Sequence, residues 1–172
     1  MESLLSALAS LYTPRIFTYI GDIGEGNEFF SIHRDHYLES WAVFSEKQME
    51  KVRSFSHRAS EYKNIYVFRN NLKKAGITFP DFYIDFAYFN LSSHKIQEIW
   101  PIWKQKIAQN AVLIFKNVVE DQFFENCLVS SVGKDLTLVL KGKKYPMSPF
   151  LADWESVSAL QSSFQMLSEK LA

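Results

Sequence analysis

Gly21-Asp22-Ile23-Gly24-Glu25-Gly26-Asn27-Glu28-Phe29-Phe30 holds three of the chain's six glycines. Before it stands Arg15 to Ile20 (RIFTYI), β-branched and aromatic, which reads as a strand. After it, Phe29, Phe30, Ile32 and His33 fall at helical spacing. Glycines at a strand-to-helix turn let the chain bend sharply and let a ligand approach the main chain. The helix start that follows offers free N–H groups. Taken alone, the segment also reads as a glycine-containing turn with no ligand.

Outward from this turn, strand and helix patterns alternate. Upstream, Leu4, Leu5, Leu8 and Leu11 predict a short amphipathic helix over Glu2 to Tyr12, stopped by Thr13-Pro14. Downstream, Ser40 to Phe44 and Asn64 to Phe68 read as strands. Between them, Ser45 is placed as an N-cap for a helix whose apolar face is Met49, Val52 and Phe55. Asn70 and Asn71 open a loop or short helix reaching Gly76, and Asp81 to Phe89 is a long strand-like run. Ser92 or Ser93 caps a helix carrying Ile96, Ile99, Trp100, Trp103 and Ile107, with a kink or break expected at Pro101 and an end at Asn110. Ala111 to Phe115 is a wholly apolar strand, as the centre of a parallel sheet requires. Asp135 to Leu140 alternates and predicts a later, partly exposed strand, and a last helix is expected from Asp153 to Leu171. The series predicts one α/β domain over residues 1–172, a doubly wound, mostly parallel sheet of about six strands with helices on both faces.

Composition removes several kinds of function. The chain has 172 residues, 47% of them hydrophobic, which suits a packed core rather than disorder. Lys plus Arg and Asp plus Glu are both 19, so the basic excess typical of a nucleic-acid binder is absent. The longest apolar run is five residues, Ala111 to Phe115, too short for a membrane span. One cysteine, Cys127, excludes an internal disulfide and suits a reducing cytosol. No nucleophile elbow and no phosphate-binding loop ending in Gly-Lys-Ser/Thr occurs.

Several segments resemble class I S-adenosylmethionine-dependent methyltransferases. Asp22-Ile23-Gly24-Glu25-Gly26-Asn27 is similar to their acidic–apolar–Gly–any–Gly signature. Ser45 to Arg53 resembles the opening of the helix after their second strand, and Ile84 to Asn90 their fourth strand. The stretch from Trp103 through Asn110 to Asn117 resembles the approach to their fifth strand and that strand itself. The match runs in order over about residues 16–118. It implies a Rossmann-like sheet with the cofactor outside the carboxyl ends of the strands. On that pattern Asp22, Gly24 and Gly26 surround the methionine end of S-adenosylmethionine. Ser45 or Val43, depending on register, falls where the family places an acid on the ribose. Asn70 falls near the adenine, and Asn90 ends the fourth strand beside the transfer site. His94, shortly after it, is placed as an optional general base. The implied activity is methyl transfer to a hydroxyl or amine of a small molecule or saccharide.

The sequence also departs from that pattern. Val43 and Ser45 are neutral where a ribose-binding acid is expected, and Glu46, the nearest acid, lies one position off. Asn90 and Asn117 stand where the metal-dependent branch of the family has acids, so no metal is expected. These losses leave a second reading open, a catalytically inactive methyltransferase fold acting as a protein-binding module such as an immunity-type inhibitor, an assembly factor or an enzyme subunit. A third is a nucleotide-binding domain of another Rossmann-like type, with Glu46 as the ribose acid about 20 residues after the glycines.

Other candidates have bland readings. His33 and His36 are placed on the polar surface of the first crossover helix. Cys127 reads as a buried inert thiol, and the basic stretch at Lys141, Lys143 and Lys144 as a solvated turn.

Overall fold

The structure, a computed structural model, describes residues 2–12, 14–24, 26–45, 47, 49–116, 124, 127–132 and 135–142. Glu46, Asn117, Lys143, Lys144 and the expected helix from Asp153 to Leu171 lie outside them.

In chain order the elements are α1 (Glu2–Tyr12), β1 (Ile16–Gly21), α2 (Asn27–Ile32), β2 (Glu39–Phe44), α3 (Met49–Ala59), β3 (Ile65–Arg69), α4 (Leu72–Thr78), β4 (Ile84–Asn90), α5 (Ser93–Lys106), β5 (Ile107–Phe115), β6 (Cys127–Val132) and β7 (Leu136–Lys141). They form one sheet in the order β3-β2-β1-β4-β5-β7-β6. The first five strands of that order are parallel, and β7 runs antiparallel between β5 and β6. The doubly wound, mostly parallel α/β fold expected from the alternation is the fold observed.

The two-residue period of the strands divides the core into two layers. Phe17 and Tyr19 of β1, Phe44 of β2 and Tyr88 of β4 pack with α1, α2 and α3 on one face. Ile20, Val43, Phe89 and Leu113 pack with α4 and α5 on the other. Ala111 to Phe115 is buried throughout, because β4 and β7 flank it and both sheet faces are covered.

Several boundaries differ from the sequence expectation. Helix α5 ends at Lys106, not Asn110, and β5 begins at Ile107. Residues Phe82 and Tyr83 donate backbone hydrogen bonds to Gln105 and Lys106, and Ile84 pairs with Ile107. This pairing draws the strand back over a segment that helical spacing alone would extend. The register then shifts between Ile84 and Phe86. Asp81 to Phe89 is correspondingly a strand only from Ile84. Pro101 does not break α5. It is exposed, so the Gln97 carbonyl that loses its N–H partner can be met by water.

β7 is buried rather than partly exposed, since insertion between two strands covers it on both sides. Its outer neighbour β6 (Cys127–Val132) is a strand the sequence reading did not assign. Cys127 is half-buried at its start, not fully buried. Ser45 is not an N-cap, because α3 starts at Met49. His33 is not a surface residue: α2 is only six residues long and ends beside it, so the ring turns inward at 5% exposure. There it packs on Phe29 and Tyr62, and Nδ1 lies 2.8 Å from the Ser40 hydroxyl. Burial holds its pKa below the ordinary 6.5.

Candidate functional site

In a parallel sheet every helix returns to the same edge, so the loops after β1, β2, β3 and β4 meet at the strands' carboxyl ends. The strand order turns between β1 and β4, and that is where a crevice opens.

Its foundation is a close approach at Gly21, the last residue of β1, with φ +129°. A Cβ there would lie 2.2 Å from the Asn90 carbonyl oxygen, so only glycine fits. The approach lets the Asp22 N–H donate to that carbonyl at 3.0 Å. The Asp22 carbonyl in turn accepts from the Tyr19 hydroxyl at 2.6 Å and from Asn90 Nδ2 at 2.7 Å. Asn90 Nδ2 also donates to the Tyr19 hydroxyl at 2.8 Å and lies 3.4 Å from Glu28 Oε2. Lys116, just past β5, closes the network with Nζ 2.8 Å from Glu28 Oε1. The buried Tyr88 hydroxyl faces the same carboxylate without a hydrogen bond of normal geometry among the described residues. Burial first, and the Glu28 charge second, raise the pKa of both Tyr19 and Tyr88, so both stay neutral.

Above this floor lies a cleft of about 420 Å3, within the range of small-ligand sites. Leu72, Leu91 and Ile99 give it an apolar wall. Asp22, Ser45 and Ser92 contribute polar groups from the loops after β1, β2 and β4. Lys47, Lys73, Lys95 and Glu98 line it as well. Glu98 Oε1 is 3.1 Å from Lys73 Nζ and Oε2 is 2.9 Å from Lys95 Nζ, tying α4 to α5. The two ammoniums, Lys95 foremost, hold the Glu98 carboxyl down at about 2.

The sequence candidates are distributed unevenly around this cleft. Asp22 and Ser45 line it. Val43 is buried in β2 and is not among the residues lining the cleft. Gly24 and Gly26 both have positive φ, but neither lines the cleft. Gly24 borders a separate cavity of about 220 Å3 with Lys51 and Arg58, and Gly26 caps α2 against Phe55. Asn90 sits beneath the floor, its amide given to Tyr19 and Asp22. Asn70 closes β3, its backbone N–H on Phe44 and its side-chain oxygen accepting from Asn71 N–H. His94 is exposed on the first turn of α5, between the cleft-lining Ser92 and Lys95. Glu46 lies outside the described residues.

The three lysines and Glu98 were not among the sequence candidates. A signal for them exists: each lysine falls three to five residues after the end of a parallel strand, β2, β3 or β4. A larger cavity of about 560 Å3 lies toward the start of β5, lined by Phe82, Trp100 and Cys127 among others, away from the crevice between β1 and β4.

No protein-family model matches this sequence. No curated protein matches it either. Solved structures do match its fold. A putative caffeoyl-CoA O-methyltransferase from Staphylococcus aureus aligns with a TM-score of 0.67 at 9% identity, covering 82% of each chain. The O-methyltransferase TomG from Streptomyces achromogenes, involved in tomaymycin synthesis and solved with SAM, aligns at 0.64 with 14% identity, over 82% of this chain and 79% of its own. An O-methyltransferase from Bacillus cereus in complex with SAH aligns at 0.63 with 14% identity, over 81% and 80%. At these identities the likeness is one of fold. The chain has the Rossmann-like fold of these O-methyltransferases.

Proposed function

We propose that the cleft at the strand carboxyl ends binds S-adenosylmethionine and that the protein transfers its methyl group to a hydroxyl or amine of a small acceptor. The observation that carries this reading is the coincidence of three things at one place. The sheet has the fold of SAM- and SAH-bound O-methyltransferases. The cleft opens at the β1/β4 switch point. Its lining fits an adenosyl group, with Leu72, Leu91 and Ile99 as an apolar wall for the base and the Ser45 hydroxyl for a ribose.

In this reading Asp22 attracts the cofactor's amino group and the Asn90 network holds the Asp22 loop in place. Ser45 offers the ribose a neutral hydrogen bond in place of a carboxylate, which makes the affinity modest. Held there by Asp22, Ser45 and the apolar wall, the cofactor would supply an electrophilic methyl group for the acceptor's lone pair, with the thioether as leaving group. The protein's own contribution is to hold the two partners aligned, and that alone supplies much of such a rate. The acceptor's proton passes to solvent or to His94 on the first turn of α5. The single cysteine suits the cytosol as the working compartment. Among the described residues no helix is long and apolar enough to cross a membrane.

Calorimetric titration with S-adenosylmethionine and S-adenosylhomocysteine tests the reading. We expect binding in the micromolar range or tighter, lost in Ser45→Trp, which fills the cleft, with the variant's circular dichroism unchanged. A folded protein that binds neither compound at millimolar concentration refutes it. A second reading, a protein-binding module that has lost the chemistry, is favoured by one feature, the commitment of Asn90 to the floor network. It becomes the better account if that titration is silent.

A further inference from the structure

The geometry points to an anionic acceptor, a small molecule whose phosphate or carboxylate is held by Lys73 and Lys95 at the rim of the cleft; this rests on the cofactor reading above. Three lysines line a cleft whose described acids are Asp22 and Glu98. The whole chain carries no net charge, so this local excess is not a consequence of a basic protein. S-adenosylmethionine brings a further positive charge on sulfur. An uncharged acceptor would leave the loaded cleft with an uncompensated positive field, whereas an anion is drawn into it and offsets it.

The lysines are also arranged to hold an oxyanion. Lys73 is on the first turn of α4 and Lys95 on the first turn of α5, and their ammoniums grip the two oxygens of one carboxylate, Glu98, at 3.1 and 2.9 Å. A carboxylate bridging two ammoniums is the geometry a ligand's carboxylate or phosphate would need. Each ammonium has three N–H donors and gives one to Glu98, so donors are left for a ligand between them. Glu98 thus does two things. It spaces the two lysines, and it competes with the incoming anion for them.

This second role gives the test opposing signs. Inorganic phosphate, pyrophosphate and acetate are titrated into the full chain at constant ionic strength, with and without saturating S-adenosylhomocysteine. Phosphate or pyrophosphate is expected to bind in the millimolar range with the cofactor product present. Lys73→Gln and Lys95→Gln each weaken it about tenfold, the size of one charge-assisted hydrogen bond. Glu98→Gln strengthens it several-fold, because the competing carboxylate is gone. Lys63→Gln, on the loop before β3, leaves it unchanged. Acetate binding in place of phosphate, with the same lysine dependence, assigns a carboxylate acceptor. If S-adenosylhomocysteine binds but no anion does, or if the lysine variants bind anions as the parent does, the anionic acceptor is wrong and the cofactor reading stands. If anions bind through the lysines but S-adenosylhomocysteine does not, the cleft is an anion site of another kind and both the acceptor and the cofactor assignments fall. If nothing binds, both fall together.

Discussion

Replacing Asn90, the last residue of β4, by aspartate should harm this protein. The amide of Asn90 is a donor surrounded by acceptors. Its Nδ2 lies 2.7 Å from the Asp22 carbonyl, 2.8 Å from the Tyr19 hydroxyl and 3.4 Å from Glu28 Oε2. A carboxylate in the same pose has no hydrogen to give. Leaving the buried carbonyl and hydroxyl short of a donor costs about 1–3 kcal/mol. Two unit charges 3.4 Å apart repel by about 5 kcal/mol at an effective dielectric of 20. The fold limits that repulsion by raising the pKa of the new carboxyl, and a rise of about three units costs ~4 kcal/mol at neutral pH. The net expectation for Asn90→Asp is a loss of about 4–5 kcal/mol near pH 7.5. The sign of the pH dependence follows. A carboxyl whose folded pKa is raised contributes fully below its unfolded value near 3.9 and loses that contribution as pH rises through the folded value. The deficit should therefore shrink to about 1 kcal/mol near pH 4. Urea unfolding of parent and variant, followed by tryptophan fluorescence at both pH values, measures it. A variant within about 0.5 kcal/mol of the parent at both pH values would refute the reasoning.

Two other perturbations separate parts of the account. Gly21→Ala should cost about 3 kcal/mol or more, from a positive φ and a Cβ 2.2 Å from the Asn90 carbonyl; Gly24→Ala, with φ +54° and open space around its Cβ, should cost about 1 kcal/mol. Equal urea midpoints for the two glycine variants would contradict the placement of the close approach at Gly21. His33 has a folded pKa below 6.5, so its neutral form supports the fold above that pH, and stability is lost as pH falls from about 6.5 through the folded value. His33→Asn, which keeps a group for Ser40 but cannot titrate, should flatten that part of the stability–pH curve, and an unchanged slope would show that His33 is not its source.

The alternation of patterns made the architecture legible, because parallel strands buried on both faces read as short apolar runs such as Ala111 to Phe115, and the helices between them carry a clear apolar face. Local pattern failed where pairing decided the outcome. β5 starts at Ile107 because Ile84 pairs with it while Phe82 and Tyr83 bond to the last residues of α5, contacts no helical period reports. β7 is buried because the strand that precedes it in the chain, β6, pairs along its outer edge. His33 turns inward because α2 stops after two turns, although the spacing invites a longer helix. The glycine turn begins at the corner of the fold where the cleft opens, and Asp22 and Ser45 line that cleft. The motif did not distinguish the glycine needed for the close approach, Gly21, from Gly24, whose Cβ position is open. The lysines after β2, β3 and β4 carry no local signature. They become a group only when the sheet brings three loops to one edge.

The most direct test of the central claim is to map where S-adenosylhomocysteine binds, by amide chemical-shift changes in the labelled full chain. The account predicts shifts centred on Asp22, on Ser45 and Lys47, on Leu72 and Lys73, and on Leu91 and Ser92, the loops that line the cleft. Shifts centred instead on Phe82, Gln105 and Cys127 around the other cavity, or no shifts at saturating ligand, would contradict it.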